Sequence, residues 1–243
     1  MKTKYALFCG DFHCGHRVGL TPPEWQSRTV GDTGTKRNKF RQIQSDLWDN
    51  FVEMVGCLPG LDVVVVNGDM IDGVGKKSGG IEQLTTSMEE QCEMAIEVVN
   101  TLKTKLDRRG KLVGTYGTDY HTATDGDDWE NNIAKQCAFN KIGAHEWLDI
   151  NGLIFDIRHH VGSSSTPWSR GTSVAKEGVW NTLWSKDEMQ PNADVVIRSH
   201  VHYYSFTGDS SKLCMTLPAL QGMGSRFGSR RLLLIVTGKQ RLR

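Results

Sequence analysis

Apolar and polar positions along this chain fall into blocks whose period switches between strand-like and helical. Residues 5–9 are a short apolar run that stops at Gly10-Asp11, and residues 61–66 are a second run that stops at Asn67-Gly68-Asp69. Runs of this length, apolar at nearly every position, predict strands buried on both faces, as in a parallel sheet. Between them Phe40, Ile43, Leu47, Phe51 and Met54 recur at helical spacing and predict a helix over 39–55. Met88, Cys92, Ala95, Val99, Leu102 and Leu106 do the same for 87–107. Residues 112–116 predict a third strand ending at Gly117-Thr118-Asp119, and 128–140 a helix. Residues 153–158 predict a strand ending at His159-His160, 174–184 a helix, and 194–198 a strand ending at Ser199-His200-Val201-His202. The remainder, 203–236, reads as short strands and turns. The loops at 15–35 and 73–80 are rich in glycine and polar residues, and the first is long enough to be functional or mobile.

Strand, crossover and strand in succession predict an α/β fold with a parallel or mixed sheet, in which ligands gather beyond the carboxyl ends of the strands. No repeat, low-complexity tract or linker divides the 243 residues, so one domain spanning 1–243 is expected.

Composition removes several function classes. The chain is 38% hydrophobic and 23% charged with a net charge of +1, which argues against disorder and demands neither a nucleic acid nor a membrane. The basic residues Arg230, Arg231, Lys239, Arg241 and Arg243 read as a solvated terminus. Six cysteines occur without a C-x-x-C pair, several within apolar stretches, as in a reduced intracellular protein. The first apolar run is too short for a signal-peptide core and no stretch approaches a membrane span, so a cytoplasmic location is expected.

The candidate chemistry sits where the strands stop. Asp11 and His13 follow the first strand, Asp69 and Asp72 the second, and Thr118, Asp119 and His121 the third. His159 and His160 end the next, and His200 and His202 the last. Six of eight histidines thus lie at predicted strand ends. Imidazole and carboxylate are the donors that divalent first-row transition metals take. One D-x-H is a weak signal, but five successive strand ends converging on one crevice are a strong one.

In order and spacing, Asp11-Phe12-His13, Gly68-Asp69-Met70-Ile71-Asp72, Gly117-Thr118-Asp119, His159-His160 and His200-Val201-His202 resemble the successive motifs of the calcineurin-like metallophosphoesterases. Those motifs run D-x-H, G-D-x-x-D, G-N-H-D/E, a lone His and G-H-x-H. The loops with Pro22-Pro23, Trp25 and Trp168 resemble those of phage-encoded members, for which the location would be the host cytoplasm.

The resemblance implies two mixed β-sheets packed as a sandwich and flanked by helices. It also implies a dinuclear site holding two divalent ions, with manganese first and iron, zinc or nickel as alternatives. Asp11, His13 and His202 would bind the first ion, Asp69 would bridge both, and His159 or His160 together with His200 would bind the second. Asp72 would support the site or be a plain turn residue. The activity implied is hydrolysis of phosphomonoesters or phosphodiesters by a metal-bridging hydroxide. The substrate would be a phosphorylated small molecule, a nucleotide or a nucleic acid. A nuclease or nucleotide phosphodiesterase using the same site is the alternative, and a catalytically inactive metal-binding scaffold the alternative of another class.

The third motif departs from the family, because no Asn follows Gly117. Asp119 would then supply an oxygen to the second ion, or Thr118 would do so weakly. His121 would be the acid if the loop is longer by two residues, and a surface residue otherwise. Ser199 replaces the usual Gly before His200. Arg226 could hold a substrate phosphate. His16 reads as a loop residue, His145 has no evident partner, and Trp168, Trp180 and Trp184 either pack or stack on a base. Neither a G-x-S-x-G elbow nor a P-loop occurs.

Overall fold

The computed structural model describes residues 2–26, 35–76, 78–124, 127–164 and 166–222. Strand β1 (Ala6–Cys9) leads through a 3-10 turn at Pro23–Trp25 and helix α1 (Thr35–Cys57) to β2 (Leu61–Asn67). Helix α2 (Met88–Lys103) and strand β3 (Leu106–Thr115) follow, then a single helical turn, α3 (Asp119–Thr122). A two-residue ladder, β4 (Ala123–Thr124) and β5 (Asp127–Asp128), precedes helix α4 (Trp129–Gln136) and strands β6 (Lys141–Gly143), β7 (Glu146–Ile150) and β8 (Leu153–Ile157). Helix α5 (Arg170–Lys186), β9 (Val195–Arg198), β10 (Ser205–Gly208) and β11 (Leu213–Thr216) complete the described chain.

Two sheets carry all of these strands except β4 and β5, which pair with each other. The first has the order β1-β2-β3-β6 and is parallel throughout. The second has the order β10-β11-β9-β8-β7 and is mixed, with β8, β9 and β11 parallel and the outer pairs antiparallel. The expected sandwich is present, and one of its sheets is purely parallel rather than mixed.

The four successive valines of β2, Val63 to Val66, explain the layering. Val63 and Val65 face the second sheet, where they pack with Ile157 and Ile197, while Phe8 stacks on Phe155 at 5.1 Å between ring centres. Val64 and Val66 face the opposite way, into a core with Phe51, Val98, Val99 and Ile133 of α1, α2 and α4. Val196 and Cys214 of the second sheet pack outward against Val174 of α5. The order is therefore helices, sheet, sheet, helix, with both faces of each sheet covered, as parallel strands require.

Helix α2 starts where Ser87 accepts a hydrogen bond from the Glu90 amide, and α4 where Asp128 accepts one from Asn131. The predicted extension of α2 to residue 107 is cut short: its C-terminal stretch is the start of β3, where Leu106 pairs with Leu61. Strands β6 and β7 have no counterpart in the periodicity reading. No helix among the described residues is long and apolar enough to cross a membrane.

Candidate metal centre

Four backbone segments bring the site together at the carboxyl ends of β1, β2, β8 and β9. Asn67, the last residue of β2, ties three of the neighbouring strands to this point. Its Nδ2 donates to Ser199 Oγ at 2.8 Å, its Oδ1 accepts from Thr115 Oγ1 at 2.6 Å, and its carbonyl lies 2.7 Å from His159 Nδ1. A ring nitrogen facing a carbonyl oxygen must carry the proton, so His159 turns its Nε2 toward the site. The next residues must pass very close to the third strand end. A Cβ on Gly117 would meet the Asp69 amide at 2.3 Å, and Gly68 has φ +74° with Gly117 Cα 2.7 Å from where its Cβ would be.

Asp11, His13, Asp69, His200 and His202 all have positive φ, between 46° and 69°. Left-handed backbone costs a non-glycine residue roughly 1–2 kcal/mol. Five of the eight positive-φ non-glycine residues among those described are therefore candidate ligands, a concentration of strain at one place. Each kink turns a strand end sharply and aims a side chain into the shared crevice.

Three groups of donor atoms result, each with members within 4.8 Å of one another: Asp11, His13 and His202; His13, Asp69 and His121; and Asp69, His159 and His200. Asp69 lies in two of them, its Oδ2 3.1 Å from His159 Nε2 and 3.9 Å from His13 Nε2. On the other side of His13, Asp11 Oδ1 is 3.8 Å from His13 Nε2 and 3.3 Å from His202 Nε2. Asp72 takes no place in these groups. It holds His13 from behind, Oδ1 to Nδ1 at 2.8 Å, which fixes His13 to offer Nε2 forward. Gln83 in turn donates to the other Asp72 oxygen.

The protein alone does not satisfy this cluster. Both oxygens of Asp11 and the Nε2 of His159 are buried without a hydrogen bond. The Nε2 atoms of His13 and His202 face each other at 3.0 Å, two groups that are both acceptors when the imidazoles are ready to ligate. Orphaned, fully buried carboxylate oxygens are costly. Inward-facing carboxylate and imidazole donors are what a divalent transition metal takes, so the residues fit the group that the sequence motifs imply.

Electrostatics point the same way. Burial would raise the Asp69 carboxyl, but His159 beside it holds it well below the usual carboxylate range. Burial would lower His159, but Asp69 pushes it up to about 10. His13 is likewise lowered by burial and raised well above its ordinary value by Asp11 and Asp72. Asp11 is depressed by His13 and His202 against its burial. Without a cation, protons on imidazole provide the positive charge that these carboxylates need. His200 differs: burial and His159 pull it down to about 4.

Of the two adjacent histidines, the structure brings His159 to the cluster, 1% exposed, and leaves His160 exposed with its ring tilted over His200 at 4.6 Å. Asp119 does not reach the cluster. It is exposed at the head of α3. Thr118 takes the inner position: its amide donates to Asp69 Oδ1 at 2.6 Å, and its hydroxyl lies 3.4 Å from Asp69 Oδ2 and 3.2 Å from His200 Nδ1. The same turn carries His121 inward, with Nδ1 donating to the Asp72 carbonyl at 2.7 Å and its ring edge-on to His13 at 4.9 Å.

His16 is buried, its Nδ1 accepting from the Val18 amide, and burial drops it to about 4, so it shapes a turn at the cleft wall. His145 finds a partner away from the centre in Asp156, at 2.8 Å. Trp168 is 90% exposed and Trp180 stacks on Trp184 along α5, and none of the three lines the cleft at the cluster. Arg226 lies outside the described residues.

Glu130 is the residue that the motifs did not single out. Fully buried in the first turn of α4, it accepts the Met70 amide at 2.9 Å and the Gly117 amide at 2.6 Å. It therefore clips the loop after Asp69 to the loop before Thr118. Burial, and next the Asp69 charge, push its carboxyl up to about 7. An acidic residue two positions into a capped helix is the ordinary N-terminal pattern, so nothing in the sequence distinguished it.

The cluster opens into a cleft of about 230 Å³ whose walls include His13, Asp69, Thr118, His121, His200 and His202. A second cleft adjoins on the far side of His159, bordered by Tyr116, Asp119, Arg158 and His160.

No protein-family model matches the chain, and no curated protein matches it. Among solved structures, it is similar to Vps29 of Entamoeba histolytica complexed with zinc, at 14% identity and TM-score 0.43, over 91% of this chain and 78% of that one. Vacuolar Protein Sorting 29 of Cryptosporidium parvum gives 16% identity and TM-score 0.43 over 92% and 78%. YfcE, a phosphoesterase from E. coli, gives 11% identity and TM-score 0.42 over 88% and 79%.

Proposed function

We propose that the protein is a calcineurin-like phosphoesterase that hydrolyses phosphomonoester or phosphodiester bonds with two divalent cations. The observation that carries this reading is that Asp69 belongs to two donor groups, one with His159 and His200 and one with His13 and His121, and that His13 also belongs to a third group with Asp11 and His202. Divalent cations bound there would supply Lewis acidity to a phosphoryl group and make water nucleophilic at neutral pH.

The chain's own residues do the rest. Asp11 and Asp69, buried and held ionised, provide the negative charge that retains cations. Asp72 and the Asn67 carbonyl fix the tautomers of His13 and His159, so that both point Nε2 inward. His121 has Nδ1 donating to the Asp72 carbonyl, so Nε2 faces the cleft and, when the ring carries a second proton there, can give it to a leaving alkoxide. Nucleophilic side chains are not required, and the buried cysteines near the core, such as Cys9, have thiols that burial pushes up to about 12.

Purified protein incubated with manganese should hydrolyse p-nitrophenyl phosphate or bis-p-nitrophenyl phosphate and lose that activity with a chelator. A protein that binds manganese at this centre but hydrolyses neither ester nor a nucleic acid would instead be a metal-binding scaffold. Cleavage of nucleic acid alone would select the nuclease reading.

A further inference from the structure

Independently of the metal centre, we infer that α5 is the contact helix of a two-fold homodimer, laid antiparallel against α5 of a second copy. The helix is apolar on two opposite sides. Val174 packs on Val196 and Cys214 of the second sheet, and Gly178 and Asn181 are buried on the same side. On the far side Val179, Trp180, Leu183 and Trp184 are between 39% and 60% exposed, and the two tryptophans stack at 5.4 Å between ring centres. A surface helix ordinarily turns charged and polar residues to water there. The tryptophans alone leave roughly 200 Å² in water. Val179 and Leu183 bring the stripe to on the order of 400 Å², the size at which an exposed apolar patch usually marks an interaction site.

The pattern along the exposed side names the occupant. Its positions are symmetric about the peptide bond between Asn181 and Thr182. Lys176 and Asp187 lie equally far from that bond, as do Val179 and Trp184, and Trp180 and Leu183. A copy related by a two-fold axis through this point sets Trp180 against Leu183, Val179 against Trp184, and Lys176 against Asp187. One stripe then meets itself with apolar side chains at the centre and opposite charges at both ends, the self-complementarity that an isologous contact needs. A parallel copy would place lysine on lysine and aspartate on aspartate. The partial charges at the helix ends favour the antiparallel arrangement as well. Two stripes bury about 800 Å² against about 1,600 Å² for a standard interface, which fits a weak, reversible dimer centred on tryptophan. Lys176 and Lys186 are balanced by Asp187 and Glu188, so the face lacks the basic excess that draws a helix to anionic lipid.

The test is sedimentation velocity of the full chain over about 1–100 µM. A monomer–dimer equilibrium with Kd on the order of 10 µM is expected. Trp180→Ser should leave a folded monomer, with circular dichroism as the check on folding. Lys176→Glu and Asp187→Lys should each weaken self-association by about 10-fold, because each makes like charges meet at both ends of the contact. Mixing these two variants should restore the affinity of the unaltered chain, since each then supplies the charge that the other lacks. If Trp180→Ser does not fold, the mixture decides. A chain that is monomeric throughout would overturn the inference, and so would a dimer indifferent to all three substitutions or a mixture no tighter than either variant alone. Monomers that bind vesicles of phosphatidylcholine and phosphatidylserine would overturn it in favour of a membrane surface.

Discussion

Asp69 Oδ2 stands 3.1 Å from His159 Nε2, a contact between two buried side chains delivered by strands of different sheets. It places a carboxylate from the end of β2 at the junction of the two donor groups. Replacing Asp69 with Asn keeps the shape but removes the charge that both groups share. Asp69→Asn is expected to lower phosphodiesterase turnover by at least about 100-fold and to reduce bound manganese, measured by elemental analysis of the purified protein. Near-normal turnover with full metal would refute a bridging role.

His121 reaches the cleft without belonging to the Asp11 group. His121→Ala should lower kcat by about 100-fold or more while bound metal is unchanged. A leaving group of low pKa, such as p-nitrophenolate, needs its protonation least, so the loss should be larger with an alkyl phosphate. Equal losses for both substrates would remove His121 from the role of acid.

Glu130 closes two backbone amides that nothing else replaces. Glu130→Ala should leave the Met70 and Gly117 amides unpaired, at about 1–3 kcal/mol each. The melting temperature should fall, and manganese affinity should fall with it as the Asp69 loop loosens. Unchanged metal affinity in a destabilised protein would confine Glu130 to folding.

Metal uptake should displace protons. His159 is held up at about 10 by Asp69 in the metal-free protein, so near neutrality it is protonated and must lose a proton to ligate through Nε2. Its raised value means that the apparent manganese affinity should climb as pH rises from 6.5 toward about 10. Calorimetry in buffers of different ionisation enthalpy should show proton release on binding; no dependence on buffer would contradict the charge assignment.

A separate ion network supports the second sheet. Arg198, 2% exposed, meets Asp156 Oδ1 at 2.7 Å and Glu177 at 3.1 Å. Burial would raise Asp156, but its hydrogen bond with His145 and the Arg198 charge draw it down to about 2. A depressed carboxyl stabilises the fold above its ordinary value, and that contribution is lost as pH falls through about 2. About 2 kcal/mol should disappear over that window in denaturant titrations. Asp156→Asn should cost about 3 kcal/mol at neutral pH, because Arg198 stays buried with one carboxylate missing, and should flatten the acid slope. An unaltered slope would move the acid sensitivity elsewhere.

What the sequence disclosed and what it withheld follow from the range of the forces involved. The nearly all-apolar run before Asp69 announced a strand covered on both faces, and Val63 and Val64 indeed serve different cores. Strand ends rich in Asp and His foretold the site because each kink carries its ligand with it. The choice between His159 and His160 was not legible beforehand: it depends on the Asn67 carbonyl, which comes from another strand. Asp119 was a reasonable ligand by spacing, but it is exposed at the head of α3, leaving Thr118 inside. Glu130 was invisible because its partners are backbone amides far along the chain. Strand β6 escaped the periodicity because three residues at a sheet edge carry almost no pattern.

Diffraction from crystals grown with saturating manganese, collected at the manganese absorption edge, tests the central claim most directly. Two anomalous peaks are predicted, one on each side of the Asp69 carboxylate, the first beside Asp11, His13 and His202 and the second beside His159 and His200. Peaks elsewhere, or no peak in contact with Asp69, would contradict the account.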